Sequence, residues 1–363
     1  MKRLLLLGGG HAHLHCLAAF AANPPADTII TLISPFARQV YSGMLPGWIA
    51  GHYAIDECVV PLAPLADAAH ASFIQTRAMS LDPARTVVYC TDGSEHAYDV
   101  LSIDIGTIFD PGALPGSAEH GLLVRPLEGF IQSWTSLTAR LDAMPAPQLA
   151  MVGGGAAGIE LLLAMQHARP RWRLTLISGA NTLPGKVGPR LARILHERGV
   201  VLRGNTSATR VTTGAVEVAG GESIAVDAAI IATGATGGFP VPAPGLRRDE
   251  PGFVLVNELL QSVSHPEIFA AGDCATMLGH PRPRSGVYAV RAGPPLADNL
   301  RRALAERELV THIPQRRSLY LISTGDRYAV ASWGNWSWQG KWVWRWKDRI
   351  DRAFVDQYQF PSH

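Results

Sequence analysis

Ala150-Met151-Val152-Gly153-Gly154-Gly155-Ala156-Ala157-Gly158-Ile159-Glu160 reads as an apolar strand, a glycine turn and the start of an apolar helix. Gly153, Gly155 and Gly158 have the spacing of a loop whose bare backbone approaches a pyrophosphate, with free N–H groups at the helix start to hold its charge. The same order occurs earlier, where Leu4-Leu5-Leu6-Leu7 runs into Gly8-Gly9-Gly10-His11-Ala12-His13. This copy departs at its third position, where His13 replaces the glycine that lets helix and strand pack closely. One such loop implies a nucleotide site. Two, separated by the length of a small domain, imply two different dinucleotides and electron transfer between them.

The rest of the chain is consistent with a globular protein. Its 363 residues are enough for about two or three domains, and a hydrophobic share of 47% is ample for sizeable cores. A net charge of +2 gives no basic field for nucleic acid. Cys16, Cys58, Cys90 and Cys274 are widely separated and form no C-x-x-C pair, which points to a reducing compartment and away from a zinc ribbon or disulfide scaffold. Met1-Lys2-Arg3 and the leucines after it imitate a secretory signal, but Gly8 ends the apolar run short of the roughly seven to fifteen residues such a signal needs. They read as a buried first strand. No uninterrupted apolar run is long enough for a spanning helix, so the expectation is a cytoplasmic protein.

Strands are expected at 4–7, 28–33, 100–105, 149–152, 174–177, 228–232 and 268–271, with helices at 13–22, 157–168, 190–198 and 287–305. A hairpin over 87–98 turns at Asp92-Gly93. Pro111, Pro115 and Gly116 mark one crossing, and the Pro/Gly-rich stretch 237–245 marks the return. The fold class that follows is α/β: two Rossmann-like dinucleotide-binding domains, one inserted in the other, plus a small C-terminal segment. The divisions fall at 1–115, 116–240, 241–309 and 310–363.

That last segment differs in character. Trp333, Trp336, Trp338, Trp342, Trp344 and Trp346 are interleaved with Lys341, Arg345, Lys347, Arg349 and Arg352. On a helix, Val343, Trp346, Ile350, Phe354 and Tyr358 share one apolar stripe. Residues 336–358 read either as a peripheral membrane surface, with tryptophan at headgroup level, or as an aromatic closure of the first domain or a homodimer contact. Asp348, Asp351 and Asp356 dilute the positive charge.

The two loops, with Ala232-Thr233-Gly234 closing a strand and Ala270-Ala271-Gly272-Asp273 near the end, resemble the two-dinucleotide flavoproteins of the pyridine nucleotide-disulfide oxidoreductase superfamily, over residues 1–305. The resemblance implies FAD on the first loop, held by Gly8, Gly10 and Asp273, and NADH or NADPH on the second, held by Gly153, Gly155, Gly158 and Glu160. His11, His13, Ser34, Gly106, Ser178, Gly234, Gly272, Val287 and Tyr288 join the implied cofactor-binding positions. The disulfide branch carries a cysteine pair just after its first βαβ unit. Here that place holds Tyr41-Ser42-Gly43-Met44-Leu45-Pro46-Gly47, and no cysteine follows until Cys58. In this respect the chain is similar to the type II NADH dehydrogenases, and more narrowly to the flavoprotein module fused to selenide, water dikinase. The narrower likeness rests on that stretch, on Gly286-Val287-Tyr288-Ala289-Val290-Arg291 and on Trp344-Arg345-Trp346-Lys347-Asp348. By resemblance the loop 41–46 lies against the flavin ring, which makes Tyr41, Met44, Pro46 and Glu160 the candidate catalytic positions, and helix 287–305 aims its N-terminus at the ring.

Two departures bear on function. Ser34 follows Ile33 and Ser178 follows Ile177 where an acid is expected to hold each adenosine ribose, which leaves NADH versus NADPH open. His11, His13 and His15 read as a polar loop beside the pyrophosphate, and no metal is expected. The leading expectation is an FAD-dependent NAD(P)H oxidoreductase without a redox disulfide, delivering electrons to a quinone or other small-molecule acceptor, cytoplasmic or peripheral on the inner face of a membrane. The alternatives are a soluble flavoprotein reductase serving a selenium or sulfur species or a protein partner, and a nucleotide-binding sensor module with reduced turnover.

Overall fold

The computed structural model describes residues 1–179, 187–233, 235–236 and 242–361. Gly234 and residues 237–241 of the expected return crossing lie outside the described residues. Five parallel strands form the first sheet, in the order Ile268–Ala270, Val100–Ile103, Lys2–Leu7, Thr28–Ser34, Ala71–Gln75. Leu4, Leu5, Leu6 and Leu7 are all buried, as expected of a strand covered on both faces, where alternation gives way to a continuous apolar run. The helix His11–Ala22 packs along the helix Gly286–Leu304 so closely that a Cβ on Gly293 would meet His15 Cβ at 2.6 Å. The chain thus completes its first sheet only after residue 267.

The second sheet is also parallel, in the order Gly121–Leu123, Ala228–Ile231, Gln148–Val152, Arg173–Ile177, Val201–Arg203. In both sheets the strand feeding the glycine loop is central, flanked on one side by the next strand of its βαβ unit and on the other by a strand from much later in sequence. This is the switch point at which open α/β sheets leave a crevice beyond the strand ends. The hairpin forms from Val87–Cys90 and Glu95–Ala97, joined by Ala78–Asp82, with Gly93 at φ +85° and Ser94 donating from N and Oγ to Asp92. The first helix begins at His11, two residues before the expected 13, because Gly10 already takes the extended N-cap conformation.

The C-terminal segment corrects one expectation. It is a three-stranded antiparallel sheet, Leu319–Ser323, Ala329–Trp333 and Trp336–Gly340, followed by the helix Lys341–Asp356. The buried face of that helix is not the expected stripe. Val343, Phe354 and Tyr358 are buried, but Trp346 and Ile350 are exposed and Lys347 and Asp351 are buried in their stead. The physical reason is pairing: Lys347 Nζ and Asp351 Oδ2 lie 2.5 Å apart, one turn from each other, and Lys347 also donates to Gly43 O at 2.7 Å. Two charges that neutralise each other and find further partners can occupy a face that either alone could not.

This segment straps the two sheets together. Its strands hold the inserted half, where Arg198 pairs with Asp326 at 2.6 Å and Arg190 donates to Ser337 Oγ at 3.2 Å. Its helix holds the first half, where Tyr53 donates to Asp348 at 2.6 Å and Arg352 donates to Glu57 at 2.7 Å.

Candidate active site

The first loop is built around backbone approach. Gly8 sits at φ +94°, and a Cβ there would lie 2.4 Å from Asp104 O. A Cβ on Gly10 would lie 2.2 Å from Asp104 Cγ. Asp104, which sequence reasoning missed, accepts from Ala12 N at 2.8 Å and His13 N at 3.2 Å, and so satisfies two of the unpaired N–H groups at this helix start. The His13 ring is fully buried and is not part of the cleft described below. Gly8 O lies 2.6 Å from its Nδ1, and a carbonyl can only accept, so Nδ1 carries the proton and Nε2 accepts from Ser102 Oγ at 2.8 Å. Burial pushes its pKa down to about 4, with the Gly8 bond opposing. A neutral imidazole thus fills the space that a glycine would leave, and ties the helix to two strands.

Beyond this loop lies a cleft of about 250 Å³, lined by Gly8, Gly10, His11, Ser34, Gly106, Arg125, Asp273 and Gly286 among others. Asp273 stands 3.6 Å from Arg125; burial raises its pKa and Arg125 opposes the rise. Ser34 Oγ accepts from Phe36 N at 3.2 Å. His11 Nε2 and Thr107 Oγ1 belong to the lining, are buried, and have no hydrogen-bond partner among the described residues. Buried polar groups are rarely left orphaned, and a cofactor rich in hydroxyls, carbonyls and phosphate oxygens would satisfy them. The residues present therefore fit FAD. Gly272 lies beside the cleft at φ +72°, where a Cβ would meet Asp104 Oδ1 at 2.5 Å. Met44 and Pro46 are buried in the core, and Tyr288 is buried under Arg282, whose guanidinium lies 6.0 Å from its ring; neither these nor Val287 belong to the cleft lining.

In the second loop the three glycines have different jobs. Gly153, at φ +121°, would place a Cβ 2.7 Å from Ala232 O, and Gly158 would place one 2.1 Å from Gly153 O. Both are required by packing. Gly155 has an ordinary φ of −68° and nothing within 4 Å of its Cβ position, so neither packing nor backbone conformation requires glycine there. Ser178 Oγ is buried without a partner among the described residues. Glu160 turns to other company, accepting from Ser323 N of the C-terminal sheet at 2.8 Å.

That contact belongs to a polar cluster at the junction of both halves and the tail, in which Lys347 and Asp351 are buried and Tyr41 and Glu160 partly so. Tyr41 donates to Asp351 at 3.1 Å, stacks on Phe354 with 4.3 Å between ring centroids, and meets His11 edge-on at 5.6 Å. The cluster thus adjoins the cleft through His11. Burial and then Asp351 hold the Tyr41 hydroxyl far above its ordinary pKa. Burial works to lower the pKa of Lys347, but Asp351 and Glu160 outweigh it and the ammonium is kept charged. Burial raises Glu160 from its ordinary 4.5 to about 7, against the pull of Lys347. A folded-state pKa above the unfolded one means that the unfolded chain releases this proton first, so stability falls as pH rises from about 4.5 to about 7. Glu160→Gln is expected to remove this slope. Thermal unfolding across that window should show the variant gaining on wild type as pH rises; a constant difference would mean that Glu160 does not titrate there.

Two central glycine loops at the switch points of two parallel sheets, one opening on a cleft with orphaned polar groups, define a two-dinucleotide α/β oxidoreductase. Residues 2–293 match the pyridine nucleotide-disulphide oxidoreductase family, and the chain belongs to it. At that level it is a flavin-dependent NAD(P)H oxidoreductase. It is 25% identical over 275 residues to ferroptosis suppressor protein 1 of Taeniopygia guttata, covering 71% of this chain and 70% of that protein. It is 23% identical over 286 residues to an NADH dehydrogenase-like protein of Bacillus subtilis, covering 76% and 78%. Among solved structures, the sulfide:quinone oxidoreductase of Aquifex aeolicus superposes with a TM-score of 0.82 at 19% identity, over 99% of this chain and 91% of that one. NDH2 from Plasmodium falciparum superposes with a TM-score of 0.79 at 13% identity, over 99% of both chains. Cys16, Cys58, Cys90 and Cys274 are each buried and free. Among the described residues no helix is long and apolar enough to cross a membrane, and no group of three or more His, Cys, Asp or Glu side chains is placed to hold a metal.

Proposed function

We propose that the protein oxidises NAD(P)H and passes the electrons through FAD directly to a quinone-type acceptor, without a thiol relay. The observation that carries this reading is the largely buried Tyr41–Lys347–Asp351–Glu160 cluster, which adjoins the cleft where, by resemblance, the disulfide branch would present its cysteines. FAD, when bound, supplies the relay that takes two electrons as a hydride and delivers them onward. Gly8, Gly10 and Asp273 would hold it, while Gly153, Gly155, Gly158 and Ser178 would hold the nicotinamide dinucleotide. Reducing a quinone with NAD(P)H consumes one proton beyond the hydride. Lys347, kept charged, and Glu160, poised near neutrality, can provide that proton. Tyr41 and Asp351 orient the ammonium.

The tail supports a lipid-soluble acceptor. Trp336 is 66% exposed, Trp342 53% and Trp346 39%, with Ile350 beside them at 41%, and Lys341, Arg345 and Arg349 are exposed on the same helix. Aromatic rings at this exposure with basic neighbours suit the headgroup region of a membrane. Trp342→Ser with Trp346→Ser is expected to reduce co-sedimentation with anionic vesicles about tenfold, by the loss of roughly 1.4 kcal/mol of interfacial burial. Unchanged binding, or no binding by the wild type, would remove the membrane from this account. The narrower likeness to the module fused to selenide, water dikinase rests on the sequence stretches around Tyr41, Gly286 and Trp344. An anaerobic acceptor panel of quinones against selenium and sulfur species distinguishes the two destinations.

A further inference from the structure

Within the reading of the first loop as the FAD site, one carboxylate is out of place. Asp104 lines the same cleft as Gly8, Gly9 and Gly10, and its carboxyl group fills the gap between Gly10 and Gly272, close enough that a Cβ on either would collide with it. It takes the N–H groups of Ala12 and His13, donors that an anion arriving at this helix start would otherwise use. A cofactor diphosphate carries two negative charges into this pocket. An ionised Asp104 would be a third, in a low-dielectric space that already holds Asp273.

We propose that Asp104 makes FAD binding proton-linked: the carboxyl group takes up one proton as the diphosphate enters. Protonated, it still accepts the two N–H groups through Oδ2, while an O–H on Oδ1 becomes a donor to the diphosphate or to Asp273. Of the charged and titratable groups around it, Asp273 is the competing site for that proton, its pKa also raised by burial, and the Asp104→Asn variant separates the two. Asp273, on the short turn packed against it, is paired with Arg125 and faced by Arg282 and Arg284. His11 and His13, on the helix it caps, are both held neutral down to about pH 4 by burial. The Cys16 and Cys274 thiols nearby are pushed up by burial and by Asp104 itself. Burial raises the pKa of Asp104 from 3.8 to about 7, against its two backbone hydrogen bonds, and the charge of Asp273 adds to the rise. No group of free FAD titrates near neutrality.

The test is FAD affinity of the apoprotein, read from flavin fluorescence, at a series of pH values on both sides of neutrality. Wild type should bind about tenfold more weakly for each pH unit above neutrality, the slope of one proton per cofactor. Asp104→Asn, whose amide reproduces the acceptor and donor of the protonated acid, should bind with no slope and overtake wild type at alkaline pH. Calorimetry on the wild type in buffers of different ionisation enthalpy gives the same answer without a variant, as uptake of one proton per FAD above neutrality. Binding with neither slope nor proton uptake overturns the proposal alone, as does a slope retained by Asp104→Asn. Absence of FAD binding at every pH overturns the flavin reading together with it.

Discussion

Gly155→Asp is expected to leave the protein folded and loaded with FAD, and to weaken reduction by NADH or NADPH on the order of 100-fold, equivalent to about 2.7 kcal/mol. The reasoning separates ligand from packing. At Gly158 any side chain would strike Gly153 O at 2.1 Å, so a defect there would report on helix packing as much as on nucleotide binding. At Gly155 a side chain meets nothing within 4 Å, and φ −68°, ψ 172° is open to any residue. As an N-cap, aspartate should add a few tenths of a kcal/mol of helix stability relative to glycine. Its carboxylate would nonetheless stand in the space that a pyrophosphate must enter. The check is the melting temperature, the flavin spectrum and the rate of anaerobic flavin reduction on one preparation. Unchanged reduction would mean that the second loop does not hold the electron donor.

Lys347→Met is expected to destabilise the fold by about 3–5 kcal/mol, because Asp351 is left charged and buried without its partner. Removing both charges, as Lys347→Met with Asp351→Leu, should recover most of that loss, since a buried pair replaced by apolar groups of similar volume is close to neutral in stability. Quinone reduction separates a structural role from a chemical one. If Lys347 supplies a proton to the acceptor, the double variant melts near wild type, is reduced by NAD(P)H at the wild-type rate, and still fails to pass electrons to a quinone. Restored quinone turnover in the double variant would make the pair a brace between tail and first half, and nothing more.

The fold was legible where local chemistry and topology agree. An apolar run ending in Gly-x-Gly before a small-residue helix has few other uses, and both loops lie where strand and helix meet. Gly8, Gly10, His11, Ser34, Gly106 and Asp273, residues from four separate stretches, converge on one cleft. The tail resisted reading because helical spacing alone favours the face with Trp346 and Ile350. A stripe calculation treats Lys347 and Asp351 as surface charges, and only their pairing, with Tyr41 and Gly43 O from far off in sequence, lets them turn inward. Glu160, a nucleotide ligand by resemblance, has a partner, Ser323, in a sheet not anticipated at all. Asp104 escaped because nothing in the sequence near 104 signals that the strand delivers it to a helix start ninety residues earlier. A partial sequence signal did exist: a histidine at the third glycine position had to find partners for its ring, and Gly8 O and Ser102 supply them.

Anaerobic addition of NADH and of NADPH to the purified, FAD-loaded protein tests the central claim most directly. The account predicts that at least one of them bleaches the flavin within seconds and that a water-soluble quinone then restores its colour without oxygen. A flavin that stays oxidised under excess of both nucleotides would contradict it.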